Sequence, residues 1–202
     1  MAGAPPAAHQ VFTELRIEVN VGQYLDLLGT ARGRVNECTA RRISRFKSGK
    51  YTVERPLHLG AALAGRLDDL ACPLSGYGLP LGEAFQLRDD LLGVFGDDEV
   101  TGKPVGEDLR EGKPTLLYAM ALDRATPADA GVLARYGAPD LDEDDLVALQ
   151  DVLLASGAVD AVEGAIDRLV AEAIDAVDRA GLAEQSHQAL VELAYFVAGR
   201  DR

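Results

Sequence analysis

Gln86, Asp89 and Asp90 stand at i, i+3 and i+4 in the run Leu81 to Phe95, whose apolar spacing predicts a helix. At that spacing the three polar side chains share one side, and Leu87, Leu91 and Val94 share another. Two adjacent ionised carboxylates repel each other. Mg²⁺ relieves that repulsion, and it takes hard oxygen ligands from one or two carboxylates, waters and phosphates. The segment that follows, Gly96 to Gly112, holds four glycines, Pro104, Lys103 and Asp108, with Lys113 just after it. Glycines let backbone N–H groups approach an anion, and lysines act as point charges on phosphate oxygens. An Asp-Asp pair alone is usually a solvated helix face. Carboxylates, glycines and lysines clustered in one stretch instead describe a metal-bridged diphosphate site.

The elements that must position this stretch read as helices. Ile17, Val21, Leu25 and Leu28 recur at helical spacing, widened by Phe12, Leu15 and Val19, which predicts a helix over 9–31 at the centre of a bundle. Gly22 inside it costs about 1 kcal/mol relative to Ala and points to close helix packing or cleft access. A second helix is expected over 36–46, ending at Ser48-Gly49, and a third from Pro56 to Leu70. Residues 72–80, with Pro73, Gly76, Gly78 and Pro80, read as a loop. Pro114 is placed to start a helix reaching Arg124. Further helices are expected over 129–136, 142–156, 158–180 and 182–198. No alternating strand pattern occurs. The fold class is all-α.

Composition sets the remaining bounds. The chain has 202 residues, 48% hydrophobic and only 5% aromatic, so Ala, Leu and Val carry the packing. The net charge of -13 argues against nucleic acid or an anionic membrane surface as a primary partner. Cys38 and Cys72 have neither metal spacing nor the number for a disulfide framework, the usage of a reduced, cytoplasmic protein. No apolar run is long enough for stable membrane insertion. Residues 1–11 read as a disordered lead and 12–202 as one domain.

The motif F-Q-L-R-D-D, then F-G-D, then T-G-K-P-V-G-E-D-L-R-E-G-K-P-T-L-L closely resembles the second aspartate-rich region of the trans-isoprenyl diphosphate synthases, the polyprenyl synthetase family. F-T-E-L-R-I-E-V-N-V-G-Q-Y-L-D resembles that family's central helix, and S-G-K-Y-T the kink that carries its substrate lysine. The resemblance implies an isoprenoid-synthase-type helical bundle. It implies Mg²⁺-dependent ionisation of an allylic diphosphate, attack by isopentenyl diphosphate and loss of a proton. By position it makes Asp89 a metal ligand, Asp90 its neighbour and Asp108 a partner acting through water or another ligand. Lys50, Lys103 and Lys113 become diphosphate clamps. Gln86, Gln23 and Thr52 become polar cavity residues near the reacting carbons or the diphosphate.

Two departures shape the expected activity. The third acid of the D-D-x-x-D pattern is Gly93 here, in D-D-L-L-G. The family's first aspartate-rich motif belongs ahead of the central helix, yet the eleven residues before Phe12 contain no acid. Asp68-Asp69 comes too late to replace it and reads as a solvated helix end. The expectation is an N-terminally incomplete synthase domain, inactive or impaired alone, with an apolar face of its central helix uncovered. It would act as a homodimer or as a heterodimer with a homologous subunit. The alternatives are a non-catalytic partner that modulates an active synthase, and a helical protein that only binds diphosphate.

Overall fold

The computed structural model of the chain describes residues 3–32, 37–96 and 106–199, and all regular elements among them are helices. Helix α1 spans Pro6–Arg32 and α2 spans Glu37–Ser44. A π-helix, Arg45–Glu54, runs on without a break into α3, Arg55–Leu63. Helix α4 spans Leu67–Phe95 and α5 spans Glu107–Glu111. They are followed by α6, Leu116–Arg124, and α7, Ala130–Leu133. The chain closes with α8, Glu143–Ala155, α9, Ala158–Asp178, and α10, Glu184–Gly199.

Helix α4 is the axis of the fold. Its 29 residues make a rod of roughly 43 Å at 1.5 Å per residue. It includes the 72–80 segment expected as a loop, with Pro73 and Pro80 inside the helix. An interior proline costs about 3 kcal/mol. The cost is outweighed because this is the most deeply packed part of the helix. Tyr77, Leu81 and Ala84 are fully buried, and burying one large apolar side chain is worth roughly 1.5–3 kcal/mol. Against them α9 sets Val162, Ile166, Val170, Ala173 and Val177, an apolar stripe at helical spacing. Polar ties hold the same layers. Arg88 donates to both carboxylate oxygens of Glu163 at 2.6 and 2.7 Å and to the Ala198 carbonyl at 2.9 Å. The Tyr77 hydroxyl donates to the Leu190 carbonyl at 2.8 Å.

On its other side α4 crosses the π-helix. A Cβ on Gly82 would overlap the backbone of Gly49, so only glycine allows this crossing. Gly22 of α1 does the same work from the opposite direction, where a Cβ would lie 2.6 Å from the Lys47 nitrogen. Close packing is therefore the reason for Gly22. The π-helix is clamped between two backbones, and that position explains why a continuous helix replaces the stop expected at Ser48-Gly49.

One expectation about α1 is revised and one holds. The helix begins at Pro6, inside the stretch expected as a disordered lead, because Ala8 and Val11 are buried against Ala62 in a small core of their own. Farther along, α1 exposes Ile17 (59%), Tyr24 (62%) and Leu27 (70%). That is the uncovered apolar face expected of this helix. The later helices begin close to their expected starts. Asp142 caps α8, accepting from the Asp145 N–H at 2.8 Å, and the Asp145 side chain returns the bond.

Candidate active site

One cavity gathers the C-terminal third of α4, the start of the π-helix and the turn after α5. At about 190 Å³ it is smaller than the ~300–1,000 Å³ of pockets that enclose a drug-sized ligand. Asp89, Asp90 and Gln86 face it from α4, Lys47 from the π-helix, and Lys113 from the segment before α6. The expected helical spacing puts Gln86, Asp89 and Asp90 on one side of α4, while Leu87, Leu91 and Val94 enter the core.

The carboxylates differ sharply in environment. Asp89 is exposed, whereas Asp90 is buried. Burial pushes the Asp90 carboxyl up to about 7, and the nearby charges of Asp108 and Asp89 push the same way. Gln86 opposes this by donating to Asp90 at 2.7 Å. Gln86 is itself held by Ser48, whose hydroxyl donates to its side-chain oxygen. A chain of contacts thus runs from the π-helix through Gln86 to Asp90.

The cations are placed by short, glycine-bounded structure. Helix α5 lies between Gly106 and Gly112, both left-handed at φ 74° and 63°. This tight turn returns the chain so that Lys113 pairs with the buried carboxylate of Asp108, five residues earlier, and lies 3.4 Å from Glu111. Burial works against the Lys113 ammonium, but the hydrogen bonds and charges of Asp108 and Glu111 together outweigh it and hold the group above the usual lysine range. Tyr136 fixes the turn by donating to the Lys113 carbonyl at 2.6 Å, and stacks on Tyr118 with ring centroids 3.7 Å apart. Across the cavity Lys47 donates to Asp26 of α1 at 2.6 Å, and Arg41 pairs with Glu83.

Of the residues expected from the sequence, Gln86, Asp89, Asp90 and Lys113 line this cavity, and Asp108 stands directly behind Lys113. Lys103 lies outside the described residues. Lys50, Thr52 and Gln23 do not line it. Thr52 and Gln23 are exposed. Lys50 is engaged elsewhere: it pairs with Glu18 at 2.6 Å and Glu54 at 3.4 Å, beside Arg55, which donates to the same Glu18 carboxylate. Burial raises the Glu18 carboxyl, but Arg55 and Lys50 together hold it below its usual range. Glu18 sits eight residues before Asp26 on α1, roughly 12 Å along the helix.

Lys47, which the motif reading passed over, is the lysine of this segment that lines the cavity. Its signal was present in K-S-G-K, where two lysines compete for one role. The choice turns on the π-helix, in which each residue advances the helix through a smaller angle than in an α-helix, so facing judged at 3.6 residues per turn goes astray.

Among the described residues, no group of three or more His, Cys, Asp or Glu side chains stands ready-made to hold a metal. The donor chemistry nevertheless fits a hard divalent cation. A buried carboxylate is disfavoured in its charged form by two neighbouring carboxylates, and the Lys113 ammonium supplies the positive charge beside them.

The polyprenyl synthetase family model matches residues 2–153 of the chain. The chain belongs to the polyprenyl synthetase family. Geranylfarnesyl diphosphate synthase of Aeropyrum pernix is 34% identical over 186 residues, 92% of this chain and 57% of the relative. Heptaprenyl diphosphate synthase component 2 of Geobacillus stearothermophilus is 30% identical over 199 residues, 97% of this chain and 60% of the relative. The crystal structure of geranylgeranyl pyrophosphate synthase from Corynebacterium glutamicum, complexed with isoprenyl diphosphate and magnesium, is 36% identical with a TM-score of 0.93, covering 98% of this chain and 57% of that one. This polyprenyl synthetase chain therefore spans between 57% and 60% of the length of these relatives. Its all-α fold is that of the isoprenoid synthases. The family's chemistry is prenyl transfer in isoprenoid biosynthesis.

Proposed function

We propose that this chain forms the diphosphate-binding wall of a prenyltransferase site, for condensation of an allylic diphosphate with isopentenyl diphosphate. The observation that carries the reading is the convergence of Asp89, Asp90 and Gln86 with Lys47 and Lys113 on one cavity. Asp89 and Asp90 would hold Mg²⁺, with Asp108 behind them. The ion, when bound, supplies Lewis-acid neutralisation of the leaving diphosphate. Lys47 takes the role expected of Lys50: its ammonium exchanges Asp26 for a diphosphate oxygen, and Lys113 does so from the other side. Their charge stabilises the negative charge that develops as the allylic C–O bond breaks, the electrostatic contribution that dominates such chemistry. Gln86, anchored by Ser48, orients the Asp90 carboxylate. Lys50 holds α1 to the π-helix through Glu18. Lys103 keeps its clamp role on the strength of the sequence motif. Free Cys38 and Cys72 accord with a cytoplasmic setting.

Calorimetry of inorganic diphosphate with and without Mg²⁺, beside a radiolabelled condensation assay, tests this reading. The isolated chain is expected to bind diphosphate only with Mg²⁺ and to condense substrates weakly. Lys47→Ala is expected to weaken that binding about tenfold or more, the weight of one charge-assisted hydrogen bond, while Lys50→Ala leaves it within about threefold. Absence of Mg²⁺-dependent binding would sink the proposal. Robust turnover by the chain alone would show that no second wall is needed.

A second reading is favoured by the similarity to a heptaprenyl diphosphate synthase component 2. In it the chain acts as one subunit of a two-component enzyme, and condensation rises when a homologous subunit is added to the same assay.

A further inference from the structure

We propose that the Ser44 hydroxyl is a further ligand-binding group of this cavity and donates a hydrogen bond to a diphosphate oxygen. The end of α2 and the start of the π-helix send one stripe into the cavity: Ala40, Ile43, Ser44 and Lys47 all line it, at i, i+3, i+4 and i+7. Ala40 and Ile43 are core residues. Ser44 is about nine-tenths buried beside them, and its hydroxyl oxygen is sealed from solvent with no hydrogen-bond partner among the described residues. Such a group destabilises a fold, and nearly all buried polar atoms avoid it. The acids lining the same cavity are engaged by other donors. Glu83 pairs with Arg41, Asp26 accepts from Lys47, and Asp90 accepts from Gln86. Alanine at 44 would continue both the apolar stripe and the helix without this cost. A hydroxyl there is accounted for when a ligand completes it. Lys47, one turn further along, and Lys113 opposite make that ligand an anion. Rotation between staggered positions swings the serine oxygen from the packed wall into the cavity, where it has a proton to donate.

The inference rests on the diphosphate-binding reading, and its test keeps the two apart. Ser44→Ala in the full chain is melted without ligand and titrated by calorimetry with Mg²⁺ and inorganic diphosphate. The two readouts are expected to move in opposite senses. Without ligand the variant melts higher than the native chain, because it sheds an unpartnered hydroxyl and gains a better helix former. With ligand it binds about tenfold more weakly, the weight of one hydrogen bond to a charged acceptor. Ser44→Cys fills nearly the same space but donates weakly, so its affinity is expected to fall toward that of Ser44→Ala.

Native affinity in Ser44→Ala overturns the inference. So does a lower melting temperature for that variant without ligand, which would show that the hydroxyl already has a partner in the folded chain. Native affinity in Ser44→Cys beside weak binding by Ser44→Ala assigns the loss to volume and removes the hydrogen bond. If the native chain binds no magnesium diphosphate, the functional reading fails and the role of Ser44 falls with it. Weakened binding in Lys47→Ala but not in Ser44→Ala leaves that reading standing and removes Ser44 alone.

Discussion

Lys47 and Lys50 stand three residues apart in one helical segment and have different surroundings. The first meets Asp26 at the cavity; the second is locked to Glu18 and Glu54. Both partners are acids on polar positions of helices, so nothing in residue type separates the two lysines, and the motif K-S-G-K alone does not say which of them faces the cavity. The acids of α4 were more legible because their α-helical spacing fixes a shared face whatever surrounds them. What spacing could not reveal is that adjacent Asp89 and Asp90 differ, one exposed and the other buried with its carboxyl raised to about 7 by burial and then by Asp108 and Asp89. The sign of the stability effect follows. Between 3.8 and about 7 the folded chain holds a proton on Asp90 that the unfolded chain has released, so this group makes stability fall as pH rises through that window. Asp90→Asn is expected to stabilise the metal-free chain at pH 8 by at least ~1 kcal/mol, or ~2–4 °C for a chain of this size, and by less at pH 5. Melting curves at the two pH values check it; a loss of stability at pH 8 would show that the carboxylate is not under this penalty.

At the scale of the element, the decisive feature is the crossing of α1 and α4 over the π-helix. Local rules read Pro73, Pro80 and the nearby glycines as a loop, and the same residues form the middle of α4. Proline and glycine are unfavourable in a helix by local criteria, and burial of Tyr77, Leu81 and Ala84 against α9 overrides them. The glycines carry the contact instead of breaking the helix. Gly82→Ala is therefore expected to destabilise by about 1–3 kcal/mol as an overpacking change, even though alanine is the better helix former. Gly60→Ala, in α3 with no atom near the added Cβ, is expected to stabilise by about 0.5–1 kcal/mol. Denaturant titration of both variants makes the comparison, and a stabilised Gly82→Ala would refute the tight crossing.

At the scale of the molecule, α1 presents Ile17, Val21, Tyr24 and Leu27 to solvent along one side. These residues are as apolar as the core, and exposed patches of this kind mark interaction surfaces. The chain is expected to self-associate through this face at micromolar concentration. Ile17→Glu combined with Leu27→Glu should return it to monomer without lowering its helix content. Sedimentation velocity over a concentration series decides this, and a native chain monomeric throughout would remove the face from any homodimer.

The sequence by itself determined the all-α class, the positions of most of the later helices and the shared face of Gln86, Asp89 and Asp90. Each of these is encoded within a few helical turns, where spacing and caps act locally. Tertiary structure alone decided that α4 runs through two prolines, that Lys47 faces the cavity in place of Lys50, and that the Ser44 hydroxyl is buried at the cavity without a partner among the described residues. These outcomes depend on which backbones approach each other and which side chains find a partner. Such contacts join residues far apart in the chain or in the phase of a non-α helix, where a 3.6-residue period carries no information.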